Sequence, residues 1–451
     1  MSNFDLIIRN GDVVTGSEVL VADIGIADGK IAALQNNLPG TTEQEITATG
    51  LHIFPGLIDA HVHFNEPGRT EWEGIQTGSS ALAAGGGTLY FDMPLNAHPP
   101  TLDAASFDLK RRAAEKSSIT DFGLWGGLVP ENLDHLEELT ECGVIGFKAF
   151  MSNSGIADFS RADDATLRGG MKRAAKLGRL VAVHAESDAL TQQLAQAKID
   201  ARQTTIRDYL DSRPVAAELE AIRRAIDIAG ETGCALHIVH VSSGEGVALV
   251  TAARNLGADV TCETCPHYLV LTEADLEKLG AVAKCAPPVR TGEEREKLWQ
   301  RLLAGEVTTV GSDHSPSPPD LKTGANFFQV WGGISGVQHT LPLLLTEGHV
   351  NRHAALTLIA ELTSTNVAKR FQLPATKGGI APGADADLAL VDLNRAFEVR
   401  NRELFYRHKQ TPYAGRFLTG TVVQTILGGQ TVFHGGRIVS LPVGRLVKPQ
   451  R

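Results

Sequence analysis

Eight apolar runs of strand length alternate with helical patterns, and short strands with glycine turns flank them at both chain ends. Together these features predict an α/β protein: a (β/α)8 barrel of the TIM type, with a small β-sandwich domain assembled from both termini. The length of 451 residues agrees. It exceeds one ordinary core but suits a barrel of roughly 250 residues or more with a smaller companion. The expected division is residues 1–54 for the first part of the β-domain, 55–380 for the barrel and 381–451 for the rest of the β-domain.

The elements follow in order. Asp5 to Val14 is strand-forming around the turn signal Asn10-Gly11, and Ile24 to Leu34 carries another at Asp28-Gly29. The barrel strands are expected at Phe54 to Val62, Thr88 to Met93, Phe122 to Gly126, Val144 to Phe150, Leu180 to His184, Ala235 to His240, Val260 to Glu263 and Val307 to Ser312. Between them, stretches such as Pro214 to Ala229 place Leu219, Ile222, Ala225, Ile226 and Ile228 at the i, i+3, i+4 spacing of a helix packed on a sheet. His353 to Leu362 and Thr365 to Phe371 read as further helices. Asp387 to Asp392, Val422 to Leu427 and Thr431 to Phe433, punctuated by Gly428-Gly429 and Gly435-Gly436, return to the β texture of the beginning.

Side chains at i and i+2 of a strand share a face, so His61 and His63 at the end of the first run can reach one metal ion. Lys148 falls near the end of the fourth run, His184 and His240 end the fifth and sixth, and Asp313 follows the eighth. In a (β/α)8 barrel all of these face one mouth. Singly, each has an ordinary structural reading: a hydrogen-bonded core histidine, a salt-bridged lysine, a helix N-cap. Jointly, four neutral imidazoles and a carboxylate suit divalent ions of the zinc type, with manganese or cobalt as alternatives. A cationic lysine cannot ligate a metal. A partly buried lysine loses its proton readily, and its free amine adds carbon dioxide to give a carbamate whose two oxygens can bridge two ions. Two ions about 3.5–4 Å apart would hold a hydroxide at neutral pH and polarise a carbonyl. Asp313 would carry the proton to a leaving nitrogen. The reaction class is hydrolysis of an amide-like bond.

In that order, His61-Val62-His63, Gly146-Phe147-Lys148, His184-Ala185-Glu186, His240-Val241-Ser242-Ser243 and Ser312-Asp313-His314-Ser315-Pro316 resemble the binuclear cyclic amidohydrolases: allantoinases, dihydroorotases and hydantoinases. The resemblance spans essentially the whole chain. It implies two metal ions, a carbamylated Lys148, the six ligands His61, His63, Lys148, His184, His240 and Asp313, and a homotetramer. Departures choose within the family. Dihydroorotases usually carry an arginine two residues after the second histidine to bind the substrate carboxylate, where this chain has Asn65. Hydantoinases usually carry a tyrosine five residues after the bridging lysine, where this chain has Asn153. The loops Asn65 to Gly74 and Asp313 to Pro319 instead look like those of the allantoinase branch, which implies allantoin as substrate. Arg69, Asn96, Asn153 and Ser317 are the candidate contacts to an uncharged ureido-substituted ring, with turn-forming roles or, for Arg69, pairing with Glu66 or Glu71 as the alternatives.

A net charge of −10 disfavours a nucleic-acid or anionic-membrane partner, either of which would favour a clustered basic patch. Five cysteines form no disulfide framework, so a cytoplasmic location is expected, and Cys262-Glu263-Thr264-Cys265 reads as two strand-end thiols. The N-terminus lacks the pattern of a signal peptide. Two other functions fit parts of this pattern: a barrel scaffold that has shed its metal ligands, against which the intact set of six argues, and a Schiff-base lyase using Lys148, which would survive chelation.

Overall fold

The computed structural model describes residues 4–450 apart from Glu43, so the Met1 to Asn3 part of the leader reading lies outside the described residues. Eight parallel strands form the barrel: β1 (Leu57–Val62), β2 (Gly87–Asp92), β3 (Asp121–Leu124), β4 (Phe147–Phe150), β5 (Val181–His184), β6 (Leu236–Ile238), β7 (Val260–Thr264) and β8 (Thr309–Val310). Each lies within or beside a run expected from sequence. Adjacent strands pair in chain order, Gly126–Gly127 carrying the chain past β3 onto β4. The ring closes where Val62 bridges to His314 and the His63 amide donates to the His314 carbonyl at 2.8 Å. The sequence runs are longer than the strands, most clearly at β8, because two hydrogen-bonded residues suffice there before the chain turns to present Asp313.

The barrel interior is filled, not hollow. Ile58 and Ala60 of β1, Leu89 and Phe91 of β2, Ala182 of β5, Trp125 and Phe371 form one buried apolar cluster. The Trp125 indole donates to the Ala60 carbonyl at 3.0 Å and Phe371 meets Phe91 and Trp125 edge-on. This plug forces any solvent-reaching polar group to the C-terminal ends of the strands. Outside, helices such as Val215–Thr232 bury Ala217, Ala221, Ile222, Ala225 and Ile228, the stripe anticipated by their spacing.

Strands from both chain ends hydrogen-bond into one continuous nine-stranded sheet. His52–Pro55 sits between Leu6–Val14 and Leu388–Glu398, with Phe417–Leu427 beyond. The expected sandwich is thus built from a single sheet enclosing its own cluster of Ile8, Val13, Ile24, Ile31, Ile53, Leu388 and Ile426. Asn10-Gly11 makes no hairpin: Asn10 is left-handed (φ 57°), and the register slips between Ile8 and Gly11, giving a bulge within one strand.

Candidate metal centre

His61 and His63 leave β1 on the same face, and Asp313 comes to both from the chain after β8. Its Oδ1 lies 3.3 Å from His61 Nε2 and 3.4 Å from His63 Nε2. These three residues each offer a ligand atom within 4.8 Å of the others. Across the mouth, His184 from β5 and His240 after β6 point nitrogen to nitrogen, Nδ1 to Nε2 at 3.0 Å. The His61 and His240 rings lie 5.4 Å apart, so the two groups adjoin. Lys148 of β4 is fully buried, its Nζ has no hydrogen-bond partner, and it lies 5.1 Å from the Phe150 ring centroid. Burial pulls its amine down to about 8, against the opposing pull of Asp313 and Glu263.

Carboxylates orient the rings. Glu263 Oε1 meets His61 Nδ1 at 2.8 Å, and Glu186 Oε2 meets His184 Nε2 at 2.9 Å, fixing which nitrogen of each ring faces the centre. Glu186 is also bridged by Arg213. Burial alone would raise the Glu186 carboxyl, but Arg213 and His184 together bring it to about 2. Glu263 has no such arginine, and burial pushes it up to about 8. Beneath them buried Asp59 accepts from the amides of His61 at 3.1 Å and Ser312 at 3.0 Å. Gly311 leaves room for Glu263, since a Cβ there would fall 2.5 Å from its Oε2. Desolvation lowers His61 and His240 well below the usual imidazole range, keeping them neutral donors. Asp313 is held well below the usual carboxylate range despite burial, by His61 and the hydrogen bond from His63. His240 (φ 40°) and Asp313 (φ 44°) are both in the left-handed region that non-glycine residues avoid, a local strain paid where the chain must turn a ligand inward.

This donor set fits a metal centre. It offers neutral imidazole nitrogens and an ionised carboxylate around a buried amine that has no partner, with the outer carboxylates in place.

The centre opens into a cavity of about 370 Å³ lined by Asn96, Asn153, Ser315, Tyr209 and Arg213, together with Lys284–Ala286 and Phe328–Gly333. Asn96 reaches Ser315 Oγ at 3.5 Å, and Asn153 is exposed at the rim. Arg69 and Ser317 do not line the cavity. Arg69 donates to the carbonyls of Asn96 at 3.0 Å and Ala97 at 3.3 Å and approaches Asp158, so it pairs with neither Glu66 nor Glu71 and ties one loop to the next. The Ser317 hydroxyl is buried without a partner, and Ser315, two residues earlier, faces the cavity instead. Asn65 is buried against the Pro316 carbonyl at 3.4 Å. Sequence reasoning named neither Glu263 nor Arg213. Glu263 was hidden inside the Cys262 to Cys265 pattern, whose two thiols are buried and free.

A model of the Amidohydrolase family matches residues 52–432, and the chain belongs to that family; it is a hydrolytic enzyme. Along its full length it is 59% identical to a protein named allantoinase from Rubrobacter xylanophilus, covering 99% of that protein. It is 51% identical to one so named from Deinococcus radiodurans, over 99% of both chains. Among solved structures it is similar to an L-hydantoinase (dihydropyrimidinase) from Arthrobacter aurescens, with 33% identity, TM-score 0.96 and coverage of 99% of this chain and 100% of that one. A dihydropyrimidinase from Brevibacillus agri matches with 31% identity and TM-score 0.92 over 98% of each chain.

Proposed function

We propose that the protein is an allantoinase, opening the hydantoin ring of allantoin by hydrolysis to give allantoate. The observation that carries this reading is the pairing of the two histidine groups around buried Lys148, beneath a cavity whose arginine, Arg213, is already paired. Arg213 is bridged to Glu186, and Lys284 donates to the Phe327 and Val330 carbonyls. With Asn65 where dihydroorotases usually carry an arginine, a substrate carboxylate would lack its usual anchor, which disfavours dihydroorotate. The names of the full-length relatives support the same substrate.

His61, His63, His184, His240 and Asp313, with Lys148 as a carbon dioxide-derived carbamate, would hold two divalent ions, zinc by preference. Such ions lower the pKa of water toward neutrality and polarise an amide carbonyl. The protein's own part is to keep His61, His184 and His240 neutral by burial and to fix the tautomers of His61 and His184 through Glu263 and Glu186. Ionised Asp313 takes a proton from the attacking water and delivers it to the ring nitrogen as the C–N bond breaks. Asn96, Asn153 and Ser315 present polar groups to the ureido tail. The reading extends to a cytoplasmic homotetramer with no nucleic-acid or membrane partner, supported by family resemblance, the acidic charge and the sparse free cysteines, and to the domain division at residues 54/55 and 380/381. Sedimentation of the loaded protein checks the assembly.

The test of substrate is turnover of allantoin, dihydroorotate and a 5-alkylhydantoin side by side on metal-loaded protein. We expect kcat/KM for allantoin to exceed that for dihydroorotate by at least about 10³, the discrimination reached when a poor substrate leaves buried polar groups unpaired. Preference for dihydroorotate or the simple hydantoin would overturn the assignment.

A further inference from the structure

Part of the cavity wall has no regular secondary structure: Lys284–Ala286 and the strap Phe328–Gly333. Such a wall would be loose if held only by backbone bonds such as Gly333 N to the Lys284 carbonyl at 2.7 Å. Two lysines add to them. Lys284 donates to the carbonyls of Phe327, at 2.5 Å, and Val330. Half-buried Lys322 donates to Gly333 at 2.5 Å, Trp331 at 3.3 Å and Ala281 at 3.3 Å. Four carbonyls of residues 327–333 thus converge on two lysine amino groups and occupy their donors, while burial pulls both lysines down to about 7.

Among the described residues no carboxylate lies within salt-bridge distance of either lysine. The Lys284 ammonium instead lies over the rings of Tyr209, 4.6 Å, and Phe327, 4.9 Å, and the Tyr209 hydroxyl donates to the Cys285 carbonyl at 2.8 Å. A buried ammonium without a counter-ion is costly unless its donors are used, and here they are used on the strap. The strap cannot shift freely at its end either: Gly333 has φ 132°, and a Cβ there would fall 2.1 Å from the Ser315 carbonyl oxygen.

We infer that Lys284 and Lys322 are positioning residues that clamp the 327–333 strap to the 281–285 segment and so set the aperture of the substrate cavity. The inference rests on the ring-opening reaction proposed above for its kinetic consequence, though not for the clamp itself. Lys322 does not line the cavity, so any effect of its loss on substrate must pass through the strap.

The test uses full-length, metal-loaded Lys284→Met and Lys322→Met variants. Amide hydrogen exchange in residues 327–333 should speed up at least about tenfold in each, the scale of losing hydrogen bonds to a charged group, while the helix Val215–Thr232 keeps its parental rate. KM for allantoin should rise at least about fivefold, with kcat within about threefold of the parent and metal per chain unchanged. Lys322→Arg should restore both readouts in part. Parental exchange in the strap, or an unmoved KM with kcat and metal content falling together, would overturn the clamp. If Lys284→Met does not fold, Lys322→Met carries both readouts. Exchange needs no substrate, so an allantoin-inactive parent would sink the substrate reading while the clamp is still decided.

Discussion

The two ends of the same barrel treat buried charge in opposite ways. At the N-terminal end, Lys377 is held by Asp121 at 2.8 Å, Asp387 at 2.7 Å and Asp385 at 3.1 Å. The remaining oxygens of Asp121 and Asp387 accept from the amides of Arg445 and Gly428. Burial opposes the Lys377 charge, yet Asp387 and Asp121 raise it above the usual lysine range. At the C-terminal end, Lys148 Nζ, His63 Nδ1, His240 Nδ1 and Glu263 Oε2 are all buried with no partner. Folding satisfies the first set completely and leaves the second waiting for something else. That contrast separates an end built to hold the barrel to the terminal sheet from an end built to bind.

Breaking the comparison at its most sensitive point means removing Lys148. Lys148→Ala should lose metal and bring activity to background, with partial recovery on adding a short carboxylic acid that supplies a bridge; full metal content and activity in this variant, or an unmodified amine in active enzyme by intact mass, would end the carbamate reading. Asp313→Asn comes next. It should fold and lower kcat by roughly 10²–10⁴ at a pH where chemistry limits the rate; a change of only a few-fold would move proton transfer to another group. Glu263→Gln keeps the shape beside His61 but weakens the orienting acceptor. Metal affinity measured by competition with a chelator should drop by about 10–100-fold. The smallest effect on catalysis belongs to the other end: Lys377→Met should destabilise the fold by about 3–5 kcal/mol in denaturant titration, by leaving carboxylates buried without their cation. Its folded fraction should keep the parental kcat, and a loss of kcat there would erase the distinction between the ends.

Much of this arrangement was legible in the sequence because strand-end positions are fixed by period-two geometry and the barrel order brings successive ends to one mouth. His61, His63, His184, His240 and Asp313 converge for that reason. What was not legible depended on partners without a sequence pattern. Arg69 looked like a substrate contact because a guanidinium in a loop is a natural hydrogen-bond donor, but it is consumed by the carbonyls of Asn96 and Ala97. Every residue carries such carbonyls, so nothing marks these two in advance. Glu263 was missed for the converse reason: the Cys262 to Cys265 stretch was read for its two strand-end thiols, while the side chain between them points to His61. The Asn10-Gly11 signal was read locally as a turn, whereas pairing on both sides of Leu6–Val14 absorbs it as a bulge.

The left-handed backbone at His240 and Asp313 places a stability cost at two codons that the reaction cannot give up. A side chain in that region costs on the order of 1–3 kcal/mol, which glycine would relieve. Glycine would also empty the space of the buried His240 imidazole and forfeit the contacts that His61 and His63 make to Asp313, so the relief is offset and neither position gains as a single stabilising change. A stabilisation campaign on this enzyme does better elsewhere in the fold, with turnover kept in the screen from the first round.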